Sequence, residues 1–386
     1  MTMSLTDKYP NYSPGLEGVY AGVSKISEVN SEPSYLLYRG IDINELATKS
    51  TYEEVAYLLI HGKLPNVEEL TSFKDTLNRS RRLPVEVTAA LRLVPKTADL
   101  MDVVKAGFAM AAPFDTDYND NSHGGNVRKA MTIIARAPSI VTAAYRLRTG
   151  QEPIPPDPEL STAANFLYML TGNRPDAYTE RVMDASLILY AEHGFNASTF
   201  ACRVTVSTLS DIYSGIISGI GTLKGPLHGG ANEEAMKMLL EIGSPANAEP
   251  WLRKAFAEKR KIMGFGHREY KHGDPRARIL SKMAHELGER VGNTTWGHIA
   301  DHLEKVMLEE KGIYPNVDFH TAFMYYLLQI PIVLYTPIFV IARVAGWSAH
   351  AIEQLDNNRL IRPKVIYEGE RNVPFIPLEQ RDMHRE

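Results

Sequence analysis

Between Lys224 and His320 three unlike motifs follow one another: GPLHGGAN around His228, GFGHREYKHGDPR around His267 and YPNVDFH around Asp318. Each sets a titratable side chain among glycines, prolines or amides. Histidine exchanges a proton near neutral pH and a carboxylate acts as a base, so one Asp and two His brought together form a proton-transfer constellation that needs no metal. Such a set suits carbon-acid chemistry. A carboxylate removes a proton from carbon only when the developing enolate oxygen is stabilised at the same time, and a neutral imidazole N–H supplies that hydrogen bond. Asp318 is then the base, His228 the donor to the enolate, and His267 the group that activates an acceptor carbonyl and protonates the alkoxide formed on attack. A single histidine is more often structural; three groups in succession point to a site.

Arginines add an anion preference. Arg343, in IARVAGW, adjoins an apolar stretch where a guanidinium must reach solvent or meet an anion such as a dicarboxylate. Arg276, in DPRA, and Arg362, in RPK, are by themselves ordinary surface residues. His193, in YAEHGFNAST, either binds the same anion or satisfies a buried backbone group. The segment DTDYNDNSHGG (115–125) lacks the ligand order and closing glutamate of a calcium loop, so it reads as a solvated acidic loop. There is no HExxH, P-loop, GxSxG or dinucleotide-binding glycine fingerprint. A metal-dependent helical hydrolase would need clustered ligands, and a non-catalytic helical scaffold would leave the triad and arginines without a purpose; both stand as rivals at this level.

The elements that must position these groups are mostly helical. Thr51 with Glu54 makes a capping box before Val55, Leu58 and Leu59, Gly62 ends that helix, and Asn66 with Glu69 starts another. Asp274 and Pro275 form a cap and first turn ahead of Ile279, Leu280, Met283 and Leu287, while Leu303, Val306 and Met307 repeat the period up to Gly312. Strand signals are confined to alternation of Val19, Ala21 and Val23 and to SYLLYRGIDI (34–43), one small N-terminal β element. The fold class is therefore all-α and multi-layered, with no alternation of strands and helices to suggest a barrel or doubly wound sheet. In STLSDIYSGIISGIG (207–221), Ser207, Ser210, Ser214, Ser218 and Gly219 are spaced to share a helix face, for close packing within the chain or between subunits. EPIPPDPE (152–159) reads as a rigid connector.

With 386 residues the chain has room for two or three lobes, and 44% hydrophobic with 23% charged residues is a globular composition. A net charge of −4 gives no reason to expect nucleic acid or an anionic membrane surface as partner. The lone cysteine, Cys202, excludes an intramolecular disulfide and a cysteine-rich zinc site, which fits a cytoplasmic setting. The start, MTMSLTDKYPNYSPGLEG, has neither the basic opening nor the apolar core of a secretory leader. Residues 321–342 carry no charge and are long enough to span a bilayer, but Pro331 and Pro337 divide them into two helices too short to do so, buried helices of a large core.

YRGIDINELA, EHGFNAST, GPLHGGAN, GFGHREYKHGDPRA, YPNVDFH and IARVAGWSAH through RPK, in this order across nearly the whole chain, resemble the citrate synthase family in its shorter bacterial and archaeal form, 2-methylcitrate synthases included. The resemblance implies a two-domain, multi-helical fold with a small N-terminal β element. Its large domain would comprise residues 1–227 and 321–386, its small inserted domain residues 228–320, and the site would lie in the cleft between them. It implies a homodimer that condenses acetyl-CoA or propionyl-CoA with oxaloacetate and hydrolyses the thioester, with no metal or other cofactor. His228, His267 and Asp318 match the family's triad; His193, Arg276 and Arg343 match its oxaloacetate-binding positions; and Arg362 matches the arginine that reaches the neighbouring subunit's site. Lys261, Ile262, Met263, Gly264 and Phe265 match a segment that contacts coenzyme A.

Overall fold

The computed structural model describes residues 8–384, so the first seven residues of the N-terminal segment MTMSLTDKYPNYSPGLEG lie outside the described residues. Strands β1 (Ser27–Ser31), β2 (Ser34–Tyr38) and β3 (Ile41–Asp42) form an antiparallel sheet in that order, with Val29 opposite Leu36 and Leu37 opposite Asp42. The stretch around Val19, Ala21 and Val23, expected to contribute to this sheet, is not a strand. Val19 and Val23 are exposed and have no neighbouring strand to take their backbone hydrogen bonds, and alternation alone does not make a ladder.

Sixteen α-helices follow among the described residues. The first ten are α1 (Ile43–Lys49), α2 (Tyr52–His61), α3 (Val67–Ser80), α4 (Val85–Arg92), α5 (Leu100–Ala111), α6 (His123–Arg148), α7 (Thr162–Thr171), α8 (Ala177–Tyr190), α9 (Ala197–Ser207) and α10 (Ile212–Leu223). They are succeeded by α11 (Ala231–Ile242), α12 (Pro245–Ala257), α13 (Pro275–Arg290), α14 (Thr295–Lys311), α15 (Val317–Leu327) and α16 (Tyr335–Asp356). The capping boxes read at Thr51 and Asn66 are both formed, and Gly62 and Gly312 end α2 and α14 in left-handed conformations.

Helix α16 is the axis of the core. It packs on α2, α6, α8, α9 and α10, and nearly every residue from Tyr335 to Ile352 is buried. With the 3₁₀ turn before it, it is long and apolar enough to cross a membrane, but 89% of its most apolar stretch is buried inside the protein. Only one of the two prolines interrupts the run. Pro331 sits in the break between α15 and a 3₁₀ turn, whereas Pro337 lies in the first turn of α16, where no N–H is required for the helical ladder. Helices α11 to α15 form a second packed group, with α15 against α11 and α13 and α12 against α14.

The small residues of 207–221 do not share one helix, since Ser207 ends α9 and Ser210 lies in the turn before α10. Their glycines make a close contact inside the chain: a Cβ at Gly215 would come within 2.7 Å of Val206, and one at Gly219 within 3.0 Å of Trp347. The acidic loop at 115–125 is mostly exposed, as read, and its acids are also tied down. Tyr213 donates its hydroxyl to Asp115 at 2.5 Å, and Arg128 bridges Asp117 and Asp120. Among the described residues no group of three or more His, Cys, Asp or Glu side chains is placed to hold a metal ion.

Candidate active site

Asp318 occupies the first turn of α15, whose cap is Asn316; the Asn316 side chain accepts the Asp318 N–H at 3.0 Å. The carboxylate is 9% exposed and accepts a 2.7 Å hydrogen bond on Oδ1 from the Tyr190 hydroxyl at the end of α8. Burial pushes its pKa up to about 6, against the pull of Tyr190 and Arg276. It is thus ionised at neutral pH yet more basic than a solvated aspartate. That combination suits a general base.

His228 projects from the tight turn joining α10 to α11. Gly229 has no room for a side chain, because a Cβ there would lie 2.4 Å from the Leu223 carbonyl. The backbone N–H of Ser198, in the first turn of α9, points at His228 Nε2 at 3.3 Å, and the Ser198 hydroxyl is 2.8 Å away. Trp347 Nε1 donates to that hydroxyl at 3.1 Å. A backbone N–H can only donate, so Nε2 is an acceptor and the ring's proton is on Nδ1. Burial, then Arg343, pulls the pKa down to about 4, so the ring is neutral and presents one N–H.

His267 is held by the same logic on the opposite nitrogen. Its Nδ1 accepts the backbone N–H groups of Glu269 and Tyr270, both at 3.1 Å, which leaves the proton on Nε2. Burial, then Arg276, lowers its pKa to about 4. The loop carrying it is zipped to the segment leading into α15. Asn316 donates from its backbone to Gly264 O and from its side chain to Gly266 O, both at 2.9 Å, while Gly266 donates to Tyr314 O at 2.8 Å. Gly264 permits this contact: its φ is +80°, and a Cβ would sit 2.8 Å from that of Phe319.

The cations gather on the same cleft. Arg276 forms two parallel bonds to Asp274, at 2.9 and 2.8 Å, and Oδ2 of that carboxylate also accepts the Val317 N–H at 3.2 Å beside Asp318. Arg343 is 1% exposed, donates Nε to Tyr190 O at 2.7 Å and lies 4.7 Å above the Phe339 ring. Among the described residues no carboxylate lies within ion-pair distance of it, and burial lowers its pKa to about 10, partly offset by Glu192. A buried guanidinium with free N–H groups calls for an anion. His193, also buried, has Nε2 3.2 Å from the Tyr270 hydroxyl and its ring 5.1 Å from that of His267; burial, then Arg276, holds its pKa well below the usual range. Phe339 joins the halves, with ring distances of 6.3 Å to His228 and 4.6 Å to Tyr190.

Six of the residues singled out in the sequence thus surround one cleft: His193, His228, His267, Arg276, Asp318 and Arg343. Arg362 does not join them. It lies beyond α16, exposed and without a side-chain partner among the described residues. Of the segment 261–265, Ile262 and Phe265 turn inward, Phe265 against Phe319 at 4.5 Å, and Lys261 stays exposed. A cavity of about 180 Å³ opens beside this segment, lined by His267, Tyr270, Asp274 and Tyr314 among others. A larger one, about 520 Å³ around Asn293, Tyr326 and Gln329, shares no residue with the cleft. Tyr190, Ser198, Tyr270 and Asn316 were not foreseen as parts of the site. Asn316 had a local signal, as a cap residue ahead of an apolar run; Tyr190, Ser198 and Tyr270 lie inside the motifs quoted around His193 and His267, but their contacts were not legible there.

A family model described as "Citrate synthase, C-terminal domain" matches residues 15–364. A citrate synthase of Synechocystis sp. is 45% identical over 376 residues, covering 96% of this chain and 94% of that one. A 2-methylcitrate synthase of Mycobacterium tuberculosis is 43% identical, covering 96% and 93%. The citrate synthase of Thermoplasma acidophilum, solved as a ternary complex with carboxymethyl coenzyme A and oxaloacetate, superimposes with a TM-score of 0.90 at 34% identity, covering 96% of this chain and 99% of that one. Fold, site and relatives agree: the chain belongs to the citrate synthase family, whose enzymes transfer an acyl group.

Proposed function

We propose that this enzyme condenses acetyl-CoA with oxaloacetate and releases citrate and CoA. The reading is carried by Asp318, a buried base with its pKa raised to about 6, on the same cleft as two neutral histidines with opposite, fixed tautomers. Asp318 takes a proton from the acetyl methyl group while His228 Nδ1–H hydrogen-bonds the enolate oxygen. The enolate carbon attacks the ketone of oxaloacetate, and His267 Nε2–H donates to the oxygen that becomes the alkoxide. Water then cleaves the thioester of the bound citryl-CoA, and CoA leaves as the thiol.

His193, Arg276 and Arg343 hold the two carboxylates of oxaloacetate in this proposal. The segment Lys261 to Phe265 lies against coenzyme A through its backbone in this proposal, a role that rests on its match to the family motif. The small domain, residues 228–320, would close on the large one, residues 1–227 and 321–386, and expel water before the enolate forms. The packing of α11 to α15 on one another supports an inserted unit, although the continuous helix α15 carries its C-terminal edge past residue 320 to Leu327. A homodimer in which Arg362 serves the neighbouring site is supported by the extended segment after Asp356, which leaves Val365 and Phe375 largely exposed. A cytoplasmic setting accords with the single, buried thiol of Cys202.

The 2-methylcitrate synthase relative, at 43% against 45% identity, supports a second reading with propionyl-CoA. One methylene in an apolar pocket is worth about 1–3 kcal/mol, or roughly 10–200-fold in kcat/KM. Thiol release should be followed with each acyl-CoA at saturating oxaloacetate. We expect acetyl-CoA to be preferred within that range. A propionyl-CoA preference would replace the proposal, and thiol release that ignores oxaloacetate would end both readings.

A further inference from the structure

Tyr270 stands between exposed Glu269 and Lys271 in the loop before α13, yet is only 3% exposed itself. Its hydroxyl is 3.2 Å from His193 Nε2 and donates to the Tyr35 carbonyl of β2 at 3.4 Å. Its backbone N–H donates to His267 Nδ1 at 3.1 Å, and its ring lies 4.7 Å from the His267 ring at 34°. One residue therefore touches two histidines through different atoms. A buried phenol hydroxyl needs partners, and here the partners are a site imidazole and the central strand of the small sheet.

We propose that Tyr270 is a positioning residue for both histidines, orienting His193 through its hydroxyl and His267 through its backbone N–H and ring. This rests on the reading of the cleft as an oxaloacetate site. The two functions are separable by chemistry. Loss of the hydroxyl frees His193, which meets substrate in the ground state, and leaves the ring and backbone that hold His267 in place. Loss of the ring also frees His267, whose alignment with the acceptor carbonyl matters in the transition state.

Tyr270→Phe and Tyr270→Leu are the test, with melting temperature measured for each. The Phe variant should raise KM for oxaloacetate about three- to tenfold, the size of one buried hydrogen bond, with kcat within about twofold and KM for acetyl-CoA unchanged. The Leu variant should show the same KM increase and a further drop in kcat. A purely structural ring would leave the folded Phe variant at wild-type KM, and that result overturns the proposal. So does a Phe variant that loses kcat while its KM for oxaloacetate stays put, since this would make the tether to Tyr35 the only contact that matters. Wild-type thiol release decides the functional reading separately. Should the wild type release no thiol, calorimetric titration of oxaloacetate into wild type and Tyr270→Phe still decides, and equal affinities overturn the role assigned to Tyr270.

Discussion

At pH 7 Asp318, His228 and His267 together present one ionised carboxylate and two neutral imidazoles, and the environment of each group sets that distribution. Asp318 is raised to about 6 by burial, while His228 and His267 fall to about 4 for the same reason, since burial disfavours whichever form is charged. The acid limb of kcat/KM should therefore report Asp318, with activity falling as pH drops through about 6. The Tyr190 hydrogen bond holds that value down, so Tyr190→Phe should move the limb to higher pH. A limb left in place would show that Tyr190 does not tune the base. Asp318→Asn should keep oxaloacetate affinity and lose about 10²–10⁴-fold in turnover, measured by thiol release and by titration. The same substitution should stabilise the protein at alkaline pH. The folded pKa lies above the ordinary 3.8, so this carboxyl favours folding most at low pH, and its contribution declines as pH rises through about 6. Thermal melts should show Asp318→Asn above wild type at pH 8, by up to about 3 kcal/mol, with the gain gone by pH 4.

At the scale of elements, two loops and two helix starts place the chemistry. The first turn of α9 fixes the tautomer of His228, and the Asn316 cap of α15 carries Asp318 while binding the loop of His267. Gly264 is where those two chain segments come closest. Gly264→Ala would put a side chain at φ +80° with its Cβ 2.8 Å from Phe319, so the loop must part from α15. The left-handed conformation alone costs about 1–2 kcal/mol, and the backbone contact adds to it. We expect a lower melting temperature together with reduced kcat, because His267 and Asp318 lose their common frame. A variant with native stability and turnover would show that the two loops are not coupled. The caps at Thr51, Asn66 and Asp274 were legible because a cap is decided within about four residues. The failed strand at Val19 and the continued helix through Pro337 were not, because one depended on a missing neighbour and the other on where the helix began.

For the whole molecule, the question is whether one chain makes a complete site. Arg362 stands outside the cleft of its own chain, on an extended segment that leaves Val365 and Phe375 largely exposed. Subunits carrying Arg362→Ala mixed with subunits carrying His228→Ala should regain activity, because each heterodimer contains one site with neither defect. Refolded mixtures with verified heterodimers should exceed both parents in thiol release. No recovery would confine Arg362 to its own chain or remove it from the reaction.

The sequence by itself determined the kinds of groups available, their order, the helical class and the caps that start the key helices, since these depend on residues a few positions apart. It also carried the family resemblance that the relatives bear out. Only the tertiary structure decided which nitrogen of each histidine bears the proton, how far each pKa moves, and that Tyr190 grips Asp318 from 128 residues away. Those properties arise from burial and from contacts between distant segments. Tyr190, Ser198 and Tyr270 stand inside legible motifs, but the contacts they make span 128, 30 and 77 residues and are not written locally.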